Sequence, residues 1–436
     1  MSTTRMVACS GWRYHKHGDP YKVLKMEKYR VPFDRSGSDV VVKMLAAPVH
    51  RHDKNVICGY LSKLKSMSLP AVGGVEGVGV VEEVGRSAVY AMKEGDLVWV
   101  NNATVGTWAS HVVTGSENLD VLPNRADTEI EYLSSMSLYL TAHNLADNFV
   151  RIQPNDVVLQ TGASSAVSQL SAAILRARGA KVIQTLQLGR GNFGDLIHHF
   201  KTIGAFAIVP YFYLRSNYMR RLIADLPPPK LLLNHSCGQY GSHLVKLLGD
   251  NGTVVTYGVM SHKPMQVANM DIIQRGITFK GFSLPHWIAS NSRETRMRMH
   301  QNIIDSMTVM HGQARFRAQR FKMDTDAPFA FSNAWDSLLT SRKPILRMVG
   351  EYGEWRRPTL DHAASSMTRA VWDDLYNQLW ESAGASDQPL SMKYYTPMND
   401  MFKTFFPADQ SKEMGLREVF FRRPNTPRNN TAEVKR

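Results

Sequence analysis

Two stretches of this 436-residue chain combine side-chain types and spacings that could do chemistry. In the first, the apolar run Val157-Val158-Leu159-Gln160 is followed by a turn of small residues from Gly162 to Ser168, after which Val167, Leu170, Ile174 and Leu175 recur at helical spacing. Strand, small-residue turn and helix in that order can present the unpaired amides of a helix's first turn to nucleotide phosphates. The second stretch is Arg315, Arg317, Arg320 and Lys322 with Phe316 and Phe321 interleaved. Near-alternation at period two predicts a strand with one charged face, which is either a polyanion contact or ordinary solvated surface. A third set, His50, His52 and Cys58, lacks both a ligand spacing and a fourth donor, so no metal site is expected.

The elements that must position these residues fall into two styles. Up to about residue 145 there are short apolar runs, including Val40 to Val49, the strand fed by Gly73-Gly74, and Val98 to Val100. Gly, Asp and Pro separate them, as in an antiparallel, barrel-like domain. From Val157 onward, strands at Lys181 to Thr185, Leu231 to Leu233 and Thr253 to Tyr257 alternate with helical segments, one of them before Gly204. That alternation means a parallel, doubly wound sheet. Helices are expected over Arg293 to Met310 and Phe329 to Leu339, then a closing strand at Pro344 to Gly350. Beyond it, Trp372, Leu375, Leu379 and Trp380 recur at helical spacing, so residues 351–436 are expected to form a docking extension that packs either on this chain or on a partner.

Hydrophobic residues are 43% and charged residues 21%, as in a globular protein, and no apolar run is long enough to span a bilayer. Cys9, Cys58 and Cys237 form no CxxC pair, which argues against a disulfide framework. The net charge of +14 sits entirely in residues 1–350, which hold 40 Lys+Arg against 26 Asp+Glu; the last 86 residues hold 12 of each. Such a body suits acidic partners: a nucleotide, an acyl carrier protein, coenzyme A or RNA. The first 18 residues contain Arg5, Arg13 and Lys16 and no acid, a composition that suits a mitochondrial targeting segment and a matrix location.

Several segments, in order across residues 17–349, resemble the mitochondrial 2-enoyl thioester reductases of the medium-chain dehydrogenase/reductase superfamily. They are HGDPYKV, GSDVVVKMLAAPV, LPAVGGVEGVG, GDLVWV followed by VGTW, NGTVVTYGVM and FKGFSLPHW. The resemblance implies an α/β fold in which a GroES-like β-barrel catalytic domain (1–145, completed by 290–350) clasps a Rossmann doubly wound parallel sheet (146–289), with 351–436 as a C-terminal extension. It also implies a homodimer, NADPH as hydride donor, and a trans-2-enoyl thioester on acyl carrier protein or coenzyme A as substrate. The family's oxygen-contacting Tyr maps to Tyr60, one residue early, and a loop Tyr lining the cleft is the other reading. Cofactor positions map to Ser165, Ala166, Val167, Ser168, Arg190, Tyr257, Gly258, Val259, Met260, Phe282, Leu284 and Lys343.

Several of these positions depart from the family pattern. Its Ser-Gly-Val-Gly-Gln is Ser165-Ala166-Val167-Ser168-Gln169 here, so a methyl and a hydroxymethyl group are expected to project where phosphate oxygens should lie. An Arg-x-Arg grip on the 2'-phosphate is reduced to Arg190, and the Asn before Glu76-Gly77 has become Val75. These changes favour a retired reductase that binds no cofactor and serves as a structural or assembly subunit of a mitochondrial complex such as the mitoribosome, with protein partners and RNA. The alternative is an active NADPH-dependent trans-2-enoyl-CoA/ACP reductase of mitochondrial fatty-acid synthesis.

Overall fold

The computed structural model describes residues 4–60, 68–123, 128–186, 200, 205–215, 217–309, 316–335 and 342–348. Its strands in chain order are β1 (Thr4–Tyr14), β2 (Lys25–Asp34), β3 (Asp39–Pro48), β4 (Ala71–Val72), β5 (Gly77–Val84), β6 (Leu97–Val100), β7 (His111–Gly115) and β8 (Leu119–Val121). There follow β9 (Val157–Thr161), β10 (Lys181–Leu186), β11 (Ala207–Pro210), β12 (Leu231–Asn234), β13 (Thr253–Thr256), β14 (Thr278–Gly281), β15 (Arg317–Lys322) and β16 (Arg342–Arg347).

Three sheets result. β2, β1 and β4 form a small antiparallel sheet, with ten residue pairs between β1 and β2. A seven-stranded sheet runs β15-β16-β3-β5-β6-β8, with β7 also on β3. In it the returning β16 pairs antiparallel with β3, Ile345 opposite Pro48, so the last described strand closes back onto the first half of the chain. The third sheet is wholly parallel in the order β11-β10-β9-β12-β13-β14. Its strands β9, β11 and β12 are buried at every position, as sheets covered on both faces require, which explains their unbroken apolar runs. The strand order reverses between β9 and β12, and ligands of such sheets bind outside the carboxyl ends at that point.

One apolar cluster joins the two halves: Ala46, Val78 and Trp99 belong to it together with Val158, Leu170, Leu231 and Val255. The helix Met136–Asp147 contributes Met136, Leu140 and Leu145 to the same cluster and packs on the helix Ala166–Ala177. Relative position of the halves is thereby set by core packing.

The basic N-terminal stretch forms β1 from Thr4, with Val7, Cys9 and Tyr14 buried. The helix Arg293–Val309 lies at the surface as expected, with Glu294, Met297, Arg298, Gln301 and Asn302 exposed, and buries Arg296, His300, Ile303, Ile304 and Met307 along its other side. The second expected helix spans Ala327–Trp335; residues 336–341, 349–350 and the 351–436 extension lie outside the described residues.

Arg296 and His300 converge on Asp120, which is fully buried on β8: the guanidinium donates at 2.7 Å and the imidazole contact is 3.2 Å. Burial by itself would raise the Asp120 pKa, but hydrogen bonds from His300 and Arg296 outweigh it and hold the carboxyl down at about 2. A depressed carboxylate stabilises the fold above its unfolded value, near 4, and that contribution disappears as pH falls through the folded value. Asp120→Asn is therefore expected to cost about 3 to 5 kcal/mol in urea denaturation at pH 7, the range for breaking a buried pair. Its gap from wild type should shrink between about pH 4 and pH 2. Equal stabilities at pH 7 would contradict this assignment.

Candidate functional site

The crevice at the strand reversal is built from two loop walls. Thr161 ends β9, and its Oγ1 accepts from the amides of His235 (2.7 Å) and Ser236 (3.0 Å), the first residues after β12. Across the same gap the Tyr211 hydroxyl accepts from the Gly162 amide at 3.2 Å and shares a hydrogen with Ser236 Oγ at 2.7 Å. The Tyr211 ring stacks on Tyr240, 3.9 Å between centroids. Gly162 sits at φ 73°, a left-handed conformation that favours glycine.

The helix Ala166–Ala177 begins immediately beyond, with Ser165 as an N-cap whose side chain makes no capping bond. Its first-turn amides have no partner within the helix and mark its positive end, an arrangement suited to a phosphate. The altered side chains of this turn point elsewhere than expected. Ser168 is fully buried and its hydroxyl donates to the Thr161 carbonyl at 3.2 Å. Since that spends its hydrogen, the Tyr257 hydroxyl at 3.1 Å is the donor to Ser168 Oγ. Ala166 and Val167 pack against the main core. Neither Ala166 nor Ser168 has a positive φ. For Ser168 the expected projection into the phosphate space is thus corrected, its hydroxyl being turned to the sheet, while Ala166 is half-buried against the core.

On the barrel side of the chain lies a buried polar network. Glu76 Oε2 accepts from Trp99 Nε1 (2.9 Å) and the Ser137 amide (2.9 Å), while Oε1 accepts from Ser137 Oγ (2.5 Å) and meets His50 Nε2 at 2.6 Å. Burial disfavours this carboxylate, yet its hydrogen bonds and the neighbouring His50 lower its pKa, so it is charged. His50 is pushed down to about 4 by burial first and then by Lys343, so at neutral pH it carries one proton. That proton belongs on Nε2, facing the carboxylate; Nδ1 then accepts from the Lys343 ammonium at 2.7 Å. Asp53 accepts from the amides of His50 (2.6 Å) and Val75 (3.0 Å). Arg51, between them in sequence, lies near enough to lower the pKa of both Lys343 and His235, and so links the network to the crevice.

The remaining sequence candidates are dispersed. Tyr60 is 75% exposed and stands outside the buried network. Val259 is exposed, and Met260 donates its amide to the His235 carbonyl at 3.2 Å. Gly258 lies against the His235 ring. Phe282 and Leu284 are half-buried against the main core, Phe282 edge-on to Phe149. Arg190, Arg315 and the Arg317 side chain lie outside the described residues. In the basic stretch, Phe316 is buried and Lys322 exposed, but Arg320 is committed to Glu131 (2.6 Å) and Glu129 (3.1 Å). The Arg320 side chain is 63% exposed, so any polyanion would meet a guanidinium that already has carboxylate partners. His50 likewise serves Glu76 and Lys343, and among the described residues no group of three His, Cys, Asp or Glu side chains could hold a metal.

Residues 36–144 match the alcohol dehydrogenase GroES-like domain. The mitochondrial enoyl-[acyl-carrier-protein] reductase of Dictyostelium discoideum is 36% identical over 306 residues, covering 70% of this chain and 84% of that protein. The chain belongs to the mitochondrial enoyl-acyl-carrier-protein reductase family. The Bos taurus enzyme of that name is 35% identical over 280 residues, covering 64% of this chain and 73% of that protein. The fold is likewise that of solved structures. A mutant of Etr1p in complex with NADP and crotonyl-CoA superposes with a TM-score of 0.66 at 23% identity, covering 79% of this chain and all of that one. Escherichia coli quinone oxidoreductase complexed with NADPH gives 0.64 at 22% identity, covering 78% of this chain and 99% of that one. This reductase-family member therefore combines a GroES-like domain with a Rossmann-type parallel sheet.

Sequence reasoning missed His235, Tyr211 and the role of His50. A bulky ring immediately after the apolar strand Leu231–Asn234 was the available signal for His235, because strand ends at a reversal point line the crevice. For His50, Glu76→Gln provides the test. A carboxamide keeping its oxygen on Trp99 and Ser137 would turn N–H toward His50, forcing the imidazole proton to Nδ1, opposite the Lys343 ammonium. The variant is expected to lose about 1 to 3 kcal/mol in urea denaturation. Imidazole 15N shifts should report the exchanged tautomer; an unchanged His50 tautomer contradicts the network's bonding.

Proposed function

We propose that this chain is an NADPH-dependent reductase of trans-2-enoyl thioesters acting in the mitochondrial matrix, on substrates carried by acyl carrier protein or coenzyme A. The observation that carries the reading is the direction of the Ala166, Val167 and Ser168 side chains into core and sheet. They leave the uncapped first turn of the helix Ala166–Ala177 open to a pyrophosphate. The 36% identity across 84% of a reductase supports it independently.

In this reading the first-turn amides hold the dinucleotide's phosphates. The bound cofactor supplies the hydride that adds to C3 of the enoyl group. Negative charge then develops on the thioester oxygen, where a hydrogen-bond donor lowers the barrier, and a proton taken from water at C2 discharges it and completes the saturated thioester. We assign that donor to Tyr60, whose exposed ring at the end of the helix Arg51–Ile57 is free to meet a ligand. Lys343, with its ammonium fixed by His50, supplies a positive charge on the barrel side for the cofactor. The basic body suits the acidic carrier. A homodimer through the open edge of the parallel sheet completes the proposal: β14 is largely exposed, and Ile273, which ends the helix preceding it in the chain, is 74% exposed.

A second reading is favoured by one observation, the Tyr211 and His235 rings standing in the crevice. There the chain binds no cofactor and serves as a structural or assembly subunit of a mitochondrial complex such as the mitoribosome, docked through residues 351–436 to protein or RNA.

Purified full-length protein is expected to oxidise NADPH in the presence of crotonyl-CoA, with saturation in both ligands. Tyr60→Phe should lower kcat by roughly a hundredfold or more, the scale of removing one oxyanion donor, with KM for NADPH unchanged. Absence of turnover at millimolar cofactor, with the protein co-sedimenting with mitochondrial ribosomal particles, would establish the second reading instead. Ile273→Asp should halve the mass measured by sedimentation equilibrium, and an unaltered mass would exclude the sheet-edge dimer.

A further inference from the structure

The crevice walls are fastened to one another by four hydrogen bonds, two to Thr161 Oγ1 and two to the Tyr211 hydroxyl. Widening the gap by moving backbone would break them, so any room for a ligand must come from side chains. Gly162 and Gly258 face the same space from the two sides, and glycines there would ordinarily leave it free for a close backbone approach. The His235 ring takes that space. A Cβ on Gly162 would come within 2.8 Å of His235 Nδ1, and one on Gly258 within 2.7 Å of its Cδ2. The ring also lies 5.4 Å from the Tyr257 ring, centroid to centroid.

Burial first, and then the charge of Arg51, pushes the His235 pKa down to about 4. At neutral pH the ring is uncharged and gains no ion pair with a phosphate, so moving it aside is a net cost of binding.

We infer that His235 sets the affinity of this crevice for a dinucleotide, because its side chain fills the passage between Gly162 and Gly258 and must rotate out before NADPH is seated. The inference rests on the reductase reading for the identity of the ligand. It differs from that reading in assigning the barrier to one side chain outside the phosphate-binding turn.

The experiment is fluorescence titration of NADPH into the full-length protein and its His235→Ala, His235→Ser and His235→Phe variants, with circular dichroism verifying the fold of each. Alanine and serine should tighten the dissociation constant by about tenfold or more, and phenylalanine should weaken it by a similar factor. Folded alanine and serine variants that bind no better than wild type would overturn the inference. Crotonyl-CoA-dependent NADPH oxidation, measured on the same samples, separates the two claims. Tighter binding without turnover in any form keeps the plug and removes the reductase. Turnover with equal affinities keeps the reductase and removes the plug. No binding by any form at millimolar NADPH overturns both.

Discussion

The site depends first on Thr161. Its hydroxyl oxygen accepts two successive amides from the loop after β12, and thereby fixes the distance between the two strands where the sheet order reverses. Everything that defines the crevice follows from that spacing: the left-handed Gly162, the start of the helix Ala166–Ala177, and the place left for the His235 ring. Two neutral hydrogen bonds are worth only about 1 kcal/mol each in net stability. Their importance is geometric, since the Tyr211 hydroxyl repeats the tie from the other side and leaves the walls little freedom.

A second constraint lies on the barrel side. Glu76 is buried and accepts from a strand residue, Trp99, and from both the amide and the hydroxyl of Ser137, at the start of the helix Met136–Asp147. A buried carboxylate is tolerable only when its lone pairs are met, and here they are. Its fourth contact sets the tautomer of His50, and through it the position of the Lys343 ammonium, almost 300 residues away in sequence. Because Lys343 sits on β16 and His50 follows β3, the pairing of those two strands is a condition for the contact. The closing strand is thus part of the site as well as of the sheet.

Strands buried on both faces were the most legible part of the fold: Val157–Thr161 and Leu231–Asn234 announce themselves as apolar runs. β1 and β2 were not, because few of their residues are buried and both carry charges, Arg in the first and Lys, Arg and Glu in the second, so neither forms an apolar run. At the site, composition showed that glycines had been replaced at Ala166 and Ser168 but not which way the new side chains face. That depends on helix phase: a fraction of a turn separates a hydroxyl in the phosphate space from one bonded to the Thr161 carbonyl. Similarly, the period-two pattern of the 315–322 stretch left a polyanion contact and a solvated face both open and gave no sign of Glu129 and Glu131, about 190 residues earlier, which pair with Arg320. Long-range partners of this kind have no local signature.

The account therefore places the capacity for phosphate binding in the backbone of one helical turn and the obstacle to it in one imidazole. Hydrogen exchange by NMR at the amides of Ala166, Val167 and Ser168, with and without saturating NADPH, addresses the first of these most directly. These amides have no partner within the helix, so they are predicted to exchange fast in the free protein and to become protected when the dinucleotide is added. Exchange rates that are indifferent to NADPH would contradict the account.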